Sequence, residues 1–192
     1  VSRAWGDWRT ESQWLWRLSK KHGSNGVLGD IGVHILDFAA YGAGSDFSKV
    51  FCRLETFDKA PGNKIGEYDL DANDSFAMTA QLENGALGVV HASRWATGHF
   101  NELRLRVYGE LGSIEVQHRH DWSKLYTCLG QDAETGTWTE VEVDPVPTNY
   151  QRFVDACRQG QNLEPSFRHA TNIQKVLDMA TVTERERAEH AV

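Results

Sequence analysis

The chain of 192 residues predicts an α+β fold: an open, predominantly antiparallel sheet of about six strands with helices packed on one face. Three observations predict it. Apolar residues recur at helical spacing between residues 10 and 42 and again after residue 149. From Phe47 onward the period changes to two, and the segments that join successive strands are too short for parallel crossovers.

Thr10 precedes a first helical stretch, Glu11 to His22, which ends at Gly23 and Gly26. A second, Leu28 to Tyr41, sets Leu28, Ile31, Ile35, Phe38 and Ala39 at spacings of three and four until Gly42 and Gly44 stop it. Phe76, Met78, Ala80 and Leu82 then alternate with Ser75, Ala77, Thr79 and Gln81. Asn84-Gly85 offers the two positive-φ residues of a type I′ turn, and Ala86 to Arg94 runs back. Leu103, Leu105 and Val107 oppose Glu102, Arg104, Arg106 and Tyr108, and Gly109-Glu-Leu-Gly112 turns the chain into Ser113 to His118. Further strands fit Lys124 to Leu129 and Thr137 to Val143, joined through Gly130 to Gly136. Pro145 and Pro147 end the sheet region. Asn149 can cap a helix with Tyr150, Phe153, Val154 and Cys157 on one face, and a last helix from about His169 to Glu189 presents Ile173, Val176, Leu177 and Ala180.

Composition narrows the function classes. Hydrophobic residues at 40% and charged residues at 24% are an ordinary globular balance. Twenty Lys+Arg against 27 Asp+Glu leave a net charge of −7, and the basic residues are scattered, so nucleic acid is not an expected partner. No run approaches the roughly 20 apolar residues of a membrane-spanning helix, and the opening Val1-Ser-Arg-Ala-Trp5 lacks the apolar core of a signal peptide, so a soluble, cytoplasmic protein is expected. Cys52, Cys128 and Cys157 are odd in number and irregular in spacing, which suits reduced, buried thiols better than disulfides or a zinc knuckle. The chain begins with Val, and its only methionines are Met78 and Met179, which raises the expectation that an N-terminal portion is missing.

The strongest local feature is Gly29-Asp30-Ile31-Gly32-Val33-His34-Ile35-Leu36-Asp37. On an α-helix Asp30, His34 and Asp37 point to one side while Ile31, Ile35 and Phe38 turn to the core. A carboxylate beside an imidazole can fix the tautomer and favour the imidazolium, leaving the second ring nitrogen to take a proton from a hydroxyl. The alternative is a capping Asp beside a structural His. A metal reading lacks a third ligand at matching spacing. Gly42-Ala-Gly44-Ser-Asp-Phe47 opens like a dinucleotide fingerprint, but it follows a helix and ends in Phe, which reads as a helix-stop loop. His118 and His120 read as a solvated strand end. Trp5, Trp8, Trp14 and Trp16 crowd the first 16 residues, and either the sheet or a partner domain or subunit must cover them.

Taken in order, Trp16-Arg17, Gly26-Val-Leu-Gly-Asp30-Ile-Gly32-Val-His34-Ile-Leu-Asp37, Glu83-Asn-Gly-Ala-Leu-Gly88 with Ala92-Ser-Arg94, Tyr108-Gly-Glu-Leu-Gly-Ser-Ile-Glu115, and Phe153-Val-Asp-Ala156 followed by Pro165-Ser resemble the C-terminal domain of the Gfo/Idh/MocA oxidoreductases, the family of glucose-fructose oxidoreductases and inositol dehydrogenases. The resemblance covers nearly the whole chain. It implies a substrate-binding and oligomerisation domain over residues 1–192, normally joined to an N-terminal Rossmann domain that holds NAD or NADP and is absent from this chain. It implies that Asp30 and His34 carry the family's Asp-x-x-x-His motif, in which the His and a Lys of the Rossmann half handle the hydroxyl proton. Trp16, Arg17, Asp37 and Arg94 are then expected to bind substrate.

The expected function is the substrate half of an NAD(P)-dependent oxidoreductase acting on a sugar, polyol or related secondary alcohol. This chain alone is expected to be inactive and to bind no dinucleotide. A homo-oligomer is expected through the open sheet face that carries Arg104, Arg106, Tyr108 and Tyr126. The rival expectation is a stand-alone, non-catalytic carbohydrate-binding or scaffolding domain, in which Asp30 and His34 are structural.

Overall fold

The computed structural model describes residues 12–188 and 190–191. Two short 3₁₀ helices, Ser12–Leu18 and Lys20–His22, lead into a π-helical turn, Leu28–Gly32, and α1 (Val33–Ala43). Then come β1 (Phe47–Glu55), β2 (Lys64–Ile65), β3 (Tyr68–Asp69), β4 (Ser75–Leu82), β5 (Leu87–Ser93), β6 (Leu103–Gly109), β7 (Gly112–His118) and β8 (Ser123–Leu129). The chain closes with α2 (Gln131–Thr135), β9 (Thr139–Val141), α3 (Asn149–Gln159), α4 (Phe167–Glu186) and β10 (His190–Ala191). It divides into one unit of Val1–Asn101 with Gln174–Val192 and a second of Glu102–Ile173.

The α+β class and the antiparallel pairing are as expected, but the strands form two four-stranded ladders, β10-β1-β4-β5 and β6-β7-β8-β9, rather than one sheet of about six. The β2-β3 ribbon and β10 are too short for a period-two signal.

In the first unit, Phe76, Met78, Ala80 and Leu82 of β4 are buried, as the alternation predicts, beside Val50 and Cys52 of β1. The helical layer approaches closely: a Cβ on Gly32 would lie 3.1 Å from Cε1 of Phe76 and 3.4 Å from Cδ1 of Leu28. β10 pairs only with Lys49 and Val50, and past it α4 supplies the acceptors. The Cys52 N–H donates to Thr183 Oγ1 at 3.0 Å and the Leu54 N–H to Glu184 Oε2 at 3.1 Å, so part of the outer edge of β1 is satisfied by side chains.

The β4-β5 turn differs from the expected type I′ turn. Gly85 has φ of 87°, but Asn84 is not among the positive-φ residues. The Gly85 N–H donates to the Leu82 carbonyl and the Leu82 N–H to the Ala86 carbonyl, the pattern of a type I turn closed by a glycine bulge. Asn84 has another task. Its Nδ2 donates to the Ala43 carbonyl and its N–H to Ser45 Oγ, tying the hairpin to the end of α1. Gly44, at φ 60°, ends that helix as expected, but Gly42 lies inside it and stops nothing, which corrects the reading for that glycine.

In the second unit, Arg106, Glu115, Tyr126 and Glu140 form one row across the four strands. Glu115 is buried between arginines: Arg106 Nε donates to it, Arg104 Nε lies 3.5 Å away and Gln117 Nε2 donates at 2.5 Å. Burial pushes the Glu115 carboxyl up, but the hydrogen bonds from Arg106 and Gln117 and the two guanidinium charges prevail and hold it below its ordinary value. The Gly130–Gly136 link contains α2, which the sequence reading did not include. Thr148, not Asn149, caps α3, with Gln151 completing a reciprocal capping box.

Cys52, Cys128 and Cys157 are free thiols; the first two are buried, as expected, and Cys157 is exposed on α3, which corrects the expectation for that residue. Burial, and then the Glu184 charge, push the Cys52 thiol up from 9.0 to about 12. An unfolded chain therefore loses this proton at lower pH than the folded one. Below pH 9 the contribution to stability is complete, and it declines as pH rises through the interval up to about 12. Cys52→Ala should flatten the alkaline fall of stability over that interval, read as urea midpoints against pH in both proteins.

Candidate functional site

The site is assembled in the first unit around the segment 70–74. Leu15 and Leu18 of the opening 3₁₀ helix pack with Leu70 in a small core cluster. The Ala72 N–H donates to the Leu18 carbonyl at 3.0 Å, and Asp71 Oδ1 accepts from the Lys20 N–H at 2.8 Å. The opening helix is thus anchored on both sides of Ser19. It carries Trp14, Trp16 and Arg17, and the guanidinium carbon of Arg17 sits 5.2 Å from the Trp14 ring centre and 5.1 Å from that of Trp16, within cation–π range. Trp16 is 43% exposed. Trp5 and Trp8 lie outside the described residues.

The next residue, Asn73, holds the π-helical turn. Its Oδ1 accepts from the Leu28 N–H at 2.9 Å, its Nδ2 donates to the Asn25 carbonyl at 2.8 Å, and its own carbonyl accepts from the Val27 N–H at 2.9 Å. Gly26 makes this approach possible. It has φ of 62°, and a Cβ there would fall 2.4 Å from the Asn73 carbonyl oxygen. The turn carries Asp30, so the expected regular helix from Leu28 begins instead with wider turns, a feature frequent at functional sites.

Asp30 is where the predicted residues meet. Arg17 Nη1 donates to Asp30 Oδ1 at 2.5 Å and Arg94 Nη2 to Oδ2 at 3.0 Å. Arg94 lies just past β5, and its N–H donates to the Asp74 carbonyl at 2.9 Å. Behind it is a fully buried ion pair: Lys59 Nζ donates to Asp74 Oδ2 and to the Phe57 carbonyl, and the Phe57 N–H donates to the same carboxylate oxygen at 2.9 Å. Burial lowers Arg94 below its ordinary value, the Asp30 and Asp74 charges oppose that, and Arg17 adds to it.

The structure thus brings Arg17, Asp30 and Arg94 into direct contact and corrects the expected carboxylate–imidazole pair. Asp30 bonds to the two arginines and not to His34, because the tertiary fold delivers two guanidinium groups to it, from positions 13 residues before it and 64 after it. His34 stands exposed in the first turn of α1, and Asp37, one turn on, is exposed too. Two guanidiniums against one carboxylate can donate to ligand hydroxyls around a fixed anion, and an exposed imidazole can exchange a proton. Asn73, Asp74 and Lys59 were missed by sequence reasoning. Two adjacent polar residues, Asn73-Asp74, leading directly into an apolar strand are the one signal that could have pointed to them. Among the described residues no group of three or more His, Cys, Asp or Glu could hold a metal ion.

Residues 1–115 match the model of the GFO/IDH/MocA C-terminal domain. The chain belongs to that family. It is 32% identical over 204 residues to levoglucosan dehydrogenase of Pseudarthrobacter phenanthrenivorans, spanning 84% of this chain and only 50% of that relative. Among solved structures, levoglucosan dehydrogenase in complex with NADH and levoglucosan superposes with a TM-score of 0.78 at 25% identity, covering 92% of this chain and 53% of that one. An oxidoreductase domain protein from Kribbella flavida gives 0.75 at 26% identity, over 92% and 54%. The chain therefore spans about half the length of the relatives it matches.

Gly26→Ala should test the clamp directly. The new Cβ meets backbone atoms of Asn73 and the residue is held at positive φ, so the change should cost about 2–4 kcal/mol of stability in chemical denaturation. Alanine at Gly23, which has open space around it, should cost only the smaller positive-φ strain, about 1 kcal/mol.

Proposed function

We propose that this chain is the substrate-handling half of an NAD- or NADP-dependent oxidoreductase that acts on a sugar, polyol or related secondary alcohol. The observation that carries the proposal is the convergence of Arg17 and Arg94 on Asp30, on the same run of chain that presents His34. Its support from relatives is the likeness to levoglucosan dehydrogenase, whose solved complexes contain NADH with levoglucosan or with L-sorbose.

The one glycine run that opens like a dinucleotide fingerprint is not a pyrophosphate-binding turn. The Gly42-Ala43-Gly44 run closes α1 instead of opening a helix N-terminus toward a pyrophosphate. In this reading the nucleotide is held by a complementary half of the complete enzyme, and this chain's share is to bind, orient and move a proton. Asp30, held by its two arginines, accepts a substrate hydroxyl through its remaining lone pairs. The Arg17 and Arg94 guanidiniums present donors to neighbouring oxygens. The Trp16 ring, partly exposed beside Arg17, offers an apolar face to a sugar ring, and Asp37 is a further acceptor on the His34 side. His34 takes the proton of the reacting hydroxyl, and its exposure in this chain leaves it open to a ligand and to a lysine from the other half.

The solvent-facing row of Arg104, Arg106 and Tyr108 on β6 is proposed to meet its counterpart in a second copy. Sedimentation at tens of micromolar should give a dimer or larger species, and a clean monomer would count against that contact.

In the complete enzyme, His34→Ala should lower kcat by roughly 10²-fold, the usual range for a positioned base. Its melting temperature should scarcely change, because the side chain is exposed. Asp30→Asn should raise KM, since both guanidiniums lose their counter-charge. Paired kinetics and melting curves check this: near-normal turnover in His34→Ala would return His34 to a structural role and favour the binding-module reading.

A further inference from the structure

Two adjacent buried residues bond to the backbone that carries the site. Asn73 is 4% exposed and Asp74 is fully buried. Asn73 spends its side chain and its carbonyl on Asn25, Val27 and Leu28, the entry to the turn that bears Asp30. Asp74 donates its N–H to the Glu55 carbonyl at 2.8 Å and accepts the Arg94 N–H on its own carbonyl, so the residue at the end of β5 is registered against the residue before β4. Its carboxylate faces Lys59 and the Phe57 N–H through Oδ2 alone.

The other oxygen, Asp74 Oδ1, is buried and has no hydrogen-bond partner among the described residues, and neither does the buried Nε of Arg94. A carboxylate whose only purpose was to hold a loop would satisfy both oxygens with donors, because an unmet buried acceptor costs about 1–3 kcal/mol. Here the second oxygen keeps its lone pairs free, and the carboxylate, paired with Lys59, also contributes its charge to the surroundings of Arg94.

We propose that Asn73 and Asp74 are positioning residues: Asn73 sets the turn that carries Asp30, Asp74 sets the strand end and the guanidinium of Arg94, and together they fix the Asp30–Arg94 contact at 3.0 Å. This deepens the functional reading above and rests on it only for the consequence in catalysis. The mechanical part stands on the hydrogen bonds alone. Because the two residues are consecutive, one peptide unit links both ends of the ion pair, and a shift of that unit moves Asp30 and Arg94 together. Two ligand-facing groups from distant parts of the chain thus keep their spacing.

The first test uses this chain and needs no substrate. In the parent, the Arg94 side-chain N–H signals in ¹⁵N spectra should show restricted rotation and slow exchange with water, because Nη2 is bound to Asp30. Asn73→Ala, and Asp74→Asn combined with Lys59→Met so that no lone ammonium is left buried, should each speed that exchange about tenfold or more in a protein that is still folded by its amide dispersion. A role confined to stability would lower the unfolding midpoint and leave the folded-state exchange at Arg94 as in the parent, and that result overturns the proposal. If Asn73→Ala does not fold, Asn73→Asp is read instead; it keeps the acceptor for the Leu28 N–H and loses the donor to Asn25, so an intermediate exchange rate is expected.

The second test uses the complete enzyme with nicotinamide dinucleotide and a panel of sugars. Asn73→Ala and Arg94→Gln should each raise KM, and the double variant should be no worse than Arg94→Gln by more than about twofold, since both act on one contact. Fully additive losses overturn the proposal. An enzyme inactive on every sugar and polyol removes the functional reading instead, and the exchange measurement then still decides whether Asn73 and Asp74 position Arg94.

Discussion

The buried Lys59–Asp74 ion pair is the constraint on which the first unit turns. An ammonium and a carboxylate removed from water each lose several kcal/mol of hydration, and each is tolerable only while the other is present. Their closure fixes the loop after β1, because Lys59 also donates to the Phe57 carbonyl and Asp74 accepts from the Phe57 N–H. It also sets where β4 begins. The residue just before Asp74 is thereby held against the turn at Asn25–Leu28, and the residue that donates to its carbonyl is Arg94. One ion pair, costly by itself, thus determines where three separated pieces of chain come to rest.

The electrostatics of the exposed layer follow from that buried one. Asp30 is partly open to solvent and carries two guanidiniums, so the cluster bears one net positive charge near a surface with aromatic rings beside it. Arginine suits this place better than lysine, because a planar fork can bind a carboxylate through one nitrogen and stack on an indole at the same time. The cost is that Arg94 must be substantially desolvated, which Asp30 and Asp74 offset. His34 lies outside this cluster, exposed in the first turn of α1.

The second unit solves a different problem with the same elements. Its four-stranded ladder is polar on one face, yet Glu115 in the middle of that face is buried by the stems of its neighbours. Long side chains cover apolar area while their charged ends pair across strands, so a broad face can remain wet without leaving a carboxylate unpaired.

Much of this was legible in the sequence. Period-two alternation located β4 and β5, and helical spacing located α1 and the buried stripe of Ile173, Val176, Leu177 and Ala180 on α4, because apolar burial imposes its period wherever an element has one covered face. The candidate residues Trp16, Arg17, Asp30, His34, Asp37 and Arg94 were also chosen from order and motif. Sequence could not say who pairs with whom. Asp30 lies four residues from His34 and 64 from Arg94, and local spacing always favours the nearer partner. Whether strands join into one ladder or two depends on hydrogen bonds between segments whose patterns look alike, and the contact of the Asn84 side chain with the Ala43 carbonyl at the end of α1 is likewise not marked by local pattern. Lys59 and Asp74 sit in a loop and before a strand, with no periodicity to mark them. Local pattern by itself determined the class of fold and the buried rows of β4 and α4, but along the π-helical turn and α1 Leu36 and Ala40 are buried where Ile31, Ile35 and Phe38 were expected, and Tyr150, Phe153 and Val154 of α3 are exposed. Only the tertiary structure decided which charges meet, because a charge finds its partner by distance through space, and that distance is set by packing far along the chain.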